Sequence, residues 1–319
     1  MTKANEQHRR QQLQKIFSRA NLESLPAMSE HVLELLSLLD NSQVTAHELA
    51  ATILKDYSLT TRILQVVNSA YYSRGTPVCT ISRAVTVVGL DTLRQLATTL
   101  ALFEEFVNAG SEKEEIATLF TLSLISATQS KILCETKKLN LSAEEAYLCT
   151  LLHNLGKVVV LTYLPDLYRA IEEQVRKGYS EERASSRILD GLSYSQVGQE
   201  IATFWSFSKR IISCMGTNPP PQGKSQDTFL ALQNLVVLSN ALTVAFFKGS
   251  ELDFSDLLCK YGSSLGLDKE AALNLIARSI DVCENFSAAM REGLTRVRNG
   301  QGREITVGKD SNGRWVRLS

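Results

Sequence analysis

Apolar residues recur at intervals of three and four along most of the chain, the spacing that places them on one face of an α-helix. In the stretch SLTTRILQVVNSAYY, Ile63, Val66 and Val67 follow this period; after Gly89, Leu93, Leu96, Ala97 and Leu100 share a face. Start signals punctuate the pattern. Thr45-Ala-His-Glu48, Ser142-Ala-Glu-Glu145 and Ser193-Tyr-Ser-Gln196 each have the form of a capping box, in which a hydroxyl accepts from the third backbone N–H and the third side chain reaches back. Thr80, after the break at Pro77, suits an N-cap, and Asp268 can cap a last helix running to about residue 290. Asn218 and Pro219 to Pro221 end a helical half and begin a linker of Gly, Lys, Ser and Gln. From Arg291 the apolar positions alternate on either side of Asn312-Gly313, which suits a small β-hairpin, although a disordered tail fits the same residues. The pattern predicts an all-α, multi-helix bundle in four parts: an N-terminal helical segment (1–21), a main helical domain (22–220), a helical extension packed on it (221–290) and a tail (291–319).

Composition narrows the partners. Hydrophobic residues make up 44% and charged residues 21%, and the 34 basic side chains balance 34 acidic ones. A chain without net charge has no general attraction to nucleic acid or to an acidic membrane, so neither is expected as a partner. The N-terminal stretch MTKANEQHRRQQLQKIF is polar and does not have the form of a secretory signal. Cys79, Cys134, Cys149, Cys214, Cys259 and Cys283 lie far apart with no CxxC, which reads as reduced thiols in a cytoplasmic protein. The uncharged run TFLALQNLVVLSNALTVAFF (228–247) is long enough to span a bilayer. Gln233, Asn234, Ser239 and Asn240 in its middle would each need a partner in hydrocarbon, so it is read as a helix buried in protein.

One segment has the look of an active site: Leu151-Leu-His153-Asn154-Leu-Gly156-Lys157. An apolar helix ends there on a histidine beside an amide, with Gly156 placed to supply a left-handed stop. An adjacent His-Asp pair at such a place is how HD-type enzymes hold a divalent ion that activates water against a phosphate ester. Here the second residue is Asn154, whose amide oxygen brings no negative charge. The four histidines are His8, His31, His47 and His153, so none follows His153 to complete a metal shell. Cys149 and His153, four apart, share a helix face and could bind metal jointly, but with no second pair two core residues are the simpler account. Tyr71 and Tyr72 could stack on a base, yet at a helix end they read more simply as packing. No metal site, catalytic residue or cofactor is expected.

Together these residues carry a resemblance. Leu25-Pro26 before an apolar helix, Lys55-Asp56, Leu59-Thr60-Thr61-Arg62-Ile63-Leu64, Asn68-Ser69-Ala70-Tyr71-Tyr72, Ile81-Ser82, Ala84-Val85 and Val88-Gly89-Leu90 follow one another in the order and spacing of the HDOD (HD-related output domain) family of bacterial regulators. The block 151–157 is similar to the family's relic of the HD motif, with His153 and Asn154 as its vestigial pair. Many relatives have Asp-His where this chain has Ser193-Tyr194, a histidine pair near Cys214 to Pro219, and a histidine around Leu122; this chain has none of them. The resemblance implies an all-helical, non-catalytic output module acting through protein contacts, with receiver, cyclase or phosphodiesterase domains as its kind of partner. The loop residues Asn68, Tyr71, Tyr72 and Arg74 are the candidate interaction surface. Two other readings stay open. A small nucleotide could occupy the vestigial pocket, or the chain could be a metal-dependent phosphohydrolase of a nucleotide or cyclic dinucleotide, using His153 with carboxylates such as Asp166, Asp190 or Glu200.

Overall fold

Hydroxyl caps and short breaks divide the chain into helices. The computed structural model describes residues 3–19, 30–40, 44–55, 57–68, 78–137, 139–205, 207–216, 228–262, 265–284, 306–309 and 315–318. Within them run α1 (Lys3–Arg19), α2 (Glu30–Asp40), α3 (Ala46–Leu54), α4 (Tyr57–Val67), α5 (Ile81–Val88), α6 (Leu90–Ala109), α7 (Lys113–Thr136) and α8 (Ala143–Leu151). These are followed by α9 (Leu155–Tyr163), α10 (Pro165–Arg176), α11 (Glu181–Ile188), α12 (Tyr194–Phe204), α13 (Lys209–Cys214), α14 (Thr228–Lys248), α15 (Glu251–Leu257), a π turn (Leu258–Gly262) and α16 (Lys269–Glu284). Strands β1 (Thr306–Lys309) and β2 (Trp315–Leu318) pair antiparallel, Val307 opposite Arg317 and Lys309 opposite Trp315.

The caps account for the boundaries. At Thr45 and at Ser193 both arms of the capping box form. Thr80 accepts from the Arg83 N–H, and Asp268 Oδ1 accepts from the Ala271 N–H at 2.8 Å. The box expected at Ser142 is only half made. Ser142 Oγ accepts from the Glu145 N–H at 3.2 Å, but the Glu145 carboxylate turns away to Arg210, which carries a full charge and is the stronger partner. Ser193→Ala, which removes the cap at the head of α12, is expected to cost about 1 kcal/mol of stability. Urea unfolding of the two proteins checks it, and equal midpoints would contradict it.

The long helices α7 and α14 form the interior and pack on each other and on α8. Both are long and apolar enough, by length and composition, to cross a membrane; here both lie largely buried against other helices. Several of their polar side chains are bonded inside the protein, while Ser239 Oγ on α14 is buried without a hydrogen-bond partner among the described residues. Ser126 Oγ and Gln129 Nε2 each meet Thr243 Oγ1 at 2.9 Å, and Gln233 Nε2 donates to the Ser213 carbonyl at 3.0 Å. A buried amide or hydroxyl without such a partner would cost on the order of 1–3 kcal/mol. On one side, α6 packs against α2, α4 and α5; the buried Arg94 donates to the Leu38 carbonyl at 3.1 Å and pairs with Asp91. On the other, α1 seats Leu13, Ile16 and Phe17 in the core and touches α12, while α16 lies along α7.

Candidate functional site

Between α8 and α9 the chain turns a corner at residues 152–154, where the Leu155 N–H bonds back to the Leu152 carbonyl at 3.0 Å. This corner carries His153 and Asn154. Gly156 does not make the left-handed stop expected of it: its φ is not positive, and it sits inside the first turn of α9. Its role is close approach. A Cβ at Gly156 would lie 1.9 Å from the Tyr194 carbonyl oxygen and 2.6 Å from the Gly198 nitrogen, so α9 and α12 meet backbone to backbone. That contact brings Tyr194 and the end of α13 up to the corner.

His153 donates from Nδ1 to the Cys214 carbonyl at 2.9 Å, with the bond to a carbonyl setting the tautomer. Burial pushes the ring below its ordinary titration range, and the Cys214 carbonyl and Glu181 only partly oppose this. Asn154 donates from Nδ2 to Asn240 Oδ1 at 2.9 Å, and Asn240 in turn donates to the Val236 carbonyl at 3.0 Å. The amide that stands in the place of an aspartate is therefore bonded to α14.

Next to the pair, Lys157 reaches between two acidic side chains, bonded to Glu181 and 3.3 Å from Glu172. Its ammonium also lies 5.8 Å from the Tyr168 ring centre and 5.7 Å from that of Tyr194. Burial alone would depress Lys157, but Glu181, Tyr168 and Glu172 outweigh it and hold the ammonium charged well above its usual range. Burial would raise Glu181, yet the Lys157 charge keeps its carboxyl below the usual value. The Tyr194 phenol is buried, pushed upward by that burial, and its hydroxyl has no hydrogen-bond partner among the described residues.

Cys149 and Cys214 are buried together where α8 meets α13. A hydrogen bond with Cys214, followed by burial, holds the Cys149 thiol well above its usual range, so it stays protonated at neutral pH. A metal ligand would have to be the thiolate. Of the distant carboxylates, Asp166 pairs with Arg169 at 2.8 Å, and Asp190 sits at a left-handed turn (φ 48°) whose carbonyl accepts from Gln12. Among the described residues, no group of three or more His, Cys, Asp or Glu stands together as a metal site would require. In the candidate loop, the Asn68 amide clasps Val78, donating to its carbonyl and accepting from its N–H, both at 2.7 Å. Tyr71, Tyr72 and Arg74 lie outside the described residues. The sequence marks Asn240 only as a polar residue of the uncharged run in need of a partner, and it does not mark Glu172 or Glu181 beyond the position of Glu181 just after the N-cap Ser180.

The fold and this corner define an HD-related helical domain. The chain belongs to the HDOD family, whose model matches residues 25–219. A protein of Treponema pallidum, named only as uncharacterised, is 24% identical over 198 residues, which is 60% of this chain and 37% of that protein. The chain therefore spans little more than a third of that relative's length. Among solved structures, an HDOD domain protein with unknown function from Geobacter sulfurreducens matches 91% of this chain and 97% of its own, with TM-score 0.65 and 21% identity. A protein from Shewanella amazonensis, provisionally named a phosphohydrolase, matches 89% of this chain and 97% of its own (TM-score 0.66, 20% identity). One from Marinobacter aquaeolei, provisionally named a signal transduction protein, matches 91% of this chain and 66% of its own (TM-score 0.65, 18% identity). At these identities the likenesses show the shared fold.

The His153 environment has a consequence for stability. Because the folded ring's pKa is lowered, the unfolded chain takes up this proton first as pH falls below the ordinary value of 6.5. The histidine's contribution is thus fully present above that pH and is lost as pH falls towards the folded pKa. The melting temperature is expected to fall between about pH 7.5 and pH 5.5, and less so in His153→Gln. Thermal melts of both proteins across that window check it; parallel profiles would contradict it.

Proposed function

We propose that this chain is a non-catalytic output module of bacterial signal transduction, working in the cytoplasm through contacts with other signalling proteins. The observation that carries the reading is how the groups at the HD corner are used. The His153 Nδ1–H is bonded to the Cys214 carbonyl, the Asn154 amide to Asn240, and Lys157 to acidic side chains. The metal that HD enzymes use does not fit this donor set. One imidazole nitrogen remains, the neighbouring carboxylate is replaced by an amide, and Cys149 is held as a thiol. A carboxylate that could bridge a metal is instead bonded to a lysine ammonium, whose positive charge further opposes a cation there. Such a donor set is poorly matched to the task of holding and activating a metal-bound water.

A module of this kind passes a signal by shifting the population of conformations that expose or cover a docking surface. The loop after Asn68 is the surface we assign to that role, with receiver, cyclase or phosphodiesterase domains as partners. Turnover assays test the reading. Full-length protein supplied with Mn²⁺, Fe²⁺ or Zn²⁺ is incubated with bis-p-nitrophenyl phosphate and with a cyclic dinucleotide. No hydrolysis above the metal-only control is expected. Hydrolysis that disappears in a folded His153→Ala variant would overturn the proposal.

A further inference from the structure

A cavity lies away from the HD corner, at a junction of α6, α7, α8 and α16. It is a cleft of about 280 Å³. Three of its walls come from the span matched by the family, and the fourth, α16, from beyond it. Its lining is half polar and half apolar, with charges of both signs: Lys131 and Glu135 from α7 face the space together with Arg278 and Asp281 from α16. Gln95 on α6 is only 6% exposed, and its Oε1 accepts from Lys131 Nζ at 2.7 Å, which fixes the ammonium at the cleft. Leu96, Ile132 and Val282 supply apolar lining.

We infer that this cleft binds a small zwitterion of amino-acid size. Two features select that class. The first is volume: pockets for drug-sized ligands run from about 300 to 1,000 Å³, and this one falls just below the range, which suits a compact ligand. The second is charge. Two cations and two carboxylates line one space, so a phosphate dianion would meet two carboxylates and a simple amine would meet two cations. A compact ligand carrying both charges satisfies both sets: its carboxylate accepts from Lys131 and Arg278, and its ammonium donates to Glu135 and Asp281. Because the ligand touches α16 and α6–α8 together, binding favours the state in which α16 is docked, giving the family domain an input from this chain's own extension. Binding at this cleft is independent of whether the HD corner is catalytic.

The test is calorimetric titration of the full-length protein with each of the twenty protein amino acids, and separately with inorganic phosphate and AMP. At least one amino acid is expected to bind saturably with Kd at or below about 1 mM, weakened about tenfold or more by Lys131→Gln and by Asp281→Asn. Circular dichroism and melting confirm that each variant is folded; should Lys131→Gln fail to fold, the exposed Arg278→Gln gives the same reading. The inference is overturned if no amino acid saturates, if binding survives the variants unchanged, or if phosphate or AMP binds there and the amino acids do not.

Discussion

Gly156→Ala is expected to destabilise the protein by about 3 kcal/mol or more, with part of the expressed chain failing to fold. The added methyl would lie 1.9 Å from the Tyr194 carbonyl oxygen and 2.9 Å from its carbon, and both are backbone atoms of a helix that cannot swing aside as a side chain would. Relief requires α9 and α12 to separate. That would open the packing around Gly198, where a Cβ would itself stand 2.9 Å from the Gly156 nitrogen. Since φ at Gly156 is not positive, the cost is steric and not conformational. Gly178→Ala provides the contrast. That residue has φ 94° with nothing within 4 Å of an added Cβ, so its cost is backbone strain on the order of 1 kcal/mol. Urea denaturation of the two variants separates the mechanisms, and a Gly156→Ala protein as stable as wild type would contradict the close approach of the two helices.

Lys157→Met is expected to cost about 2 kcal/mol at neutral pH. Breaking a buried ion pair costs about 3–5 kcal/mol, and the figure is reduced because the Glu181 side chain keeps 49% of its accessibility. The penalty arises from leaving Glu181 and Glu172 without their cation, so Lys157→Met in a Glu181→Gln background should cost less. It is also pH-dependent. Glu181 has a lowered folded pKa, so the pair's contribution is present above the ordinary carboxyl value of 4.5 and is lost as pH falls through the folded value. The gap between wild type and variant should therefore narrow in acid. Unfolding at about pH 7 and about pH 3.5 measures it, and a gap that does not change would mean that the pair is not what the lysine supplies.

What could be read from the sequence was what is local. The caps at Thr45, Thr80, Ser193 and Asp268 each depend on a hydroxyl or carboxylate and a backbone N–H three residues away, and all four form. The box at Ser142 fails in one arm because Glu145 finds Arg210, 65 residues on, a competitor that no local rule includes. Gly156 was misread for the same reason: a glycine close to a helix end looks like a stop, whereas the demand on it comes from Tyr194 across the fold. His153 and Asn154 stand out in the sequence through their motif. Their partners, Cys214 and Asn240, lie 61 and 86 residues away, and nothing in the sequence pairs them with the corner. The family itself was legible because its identity rests on the order of short motifs through the N-terminal half, which the match over 25–219 covers. The cleft beside Lys131 was not, since Arg278 and Asp281 join it only through the packing of α16 on α7.

The central claim is that the HD corner has exchanged metal chemistry for internal hydrogen bonds. Its most direct test is metal content by inductively coupled plasma mass spectrometry, on untagged full-length protein from cells supplied with iron, manganese and zinc. The donor set at His153 and Asn154 predicts well below one ion per chain, unchanged in a folded His153→Ala variant. Close to one ion per chain, lost on that substitution, would contradict the account and return the corner to the metal phosphohydrolases.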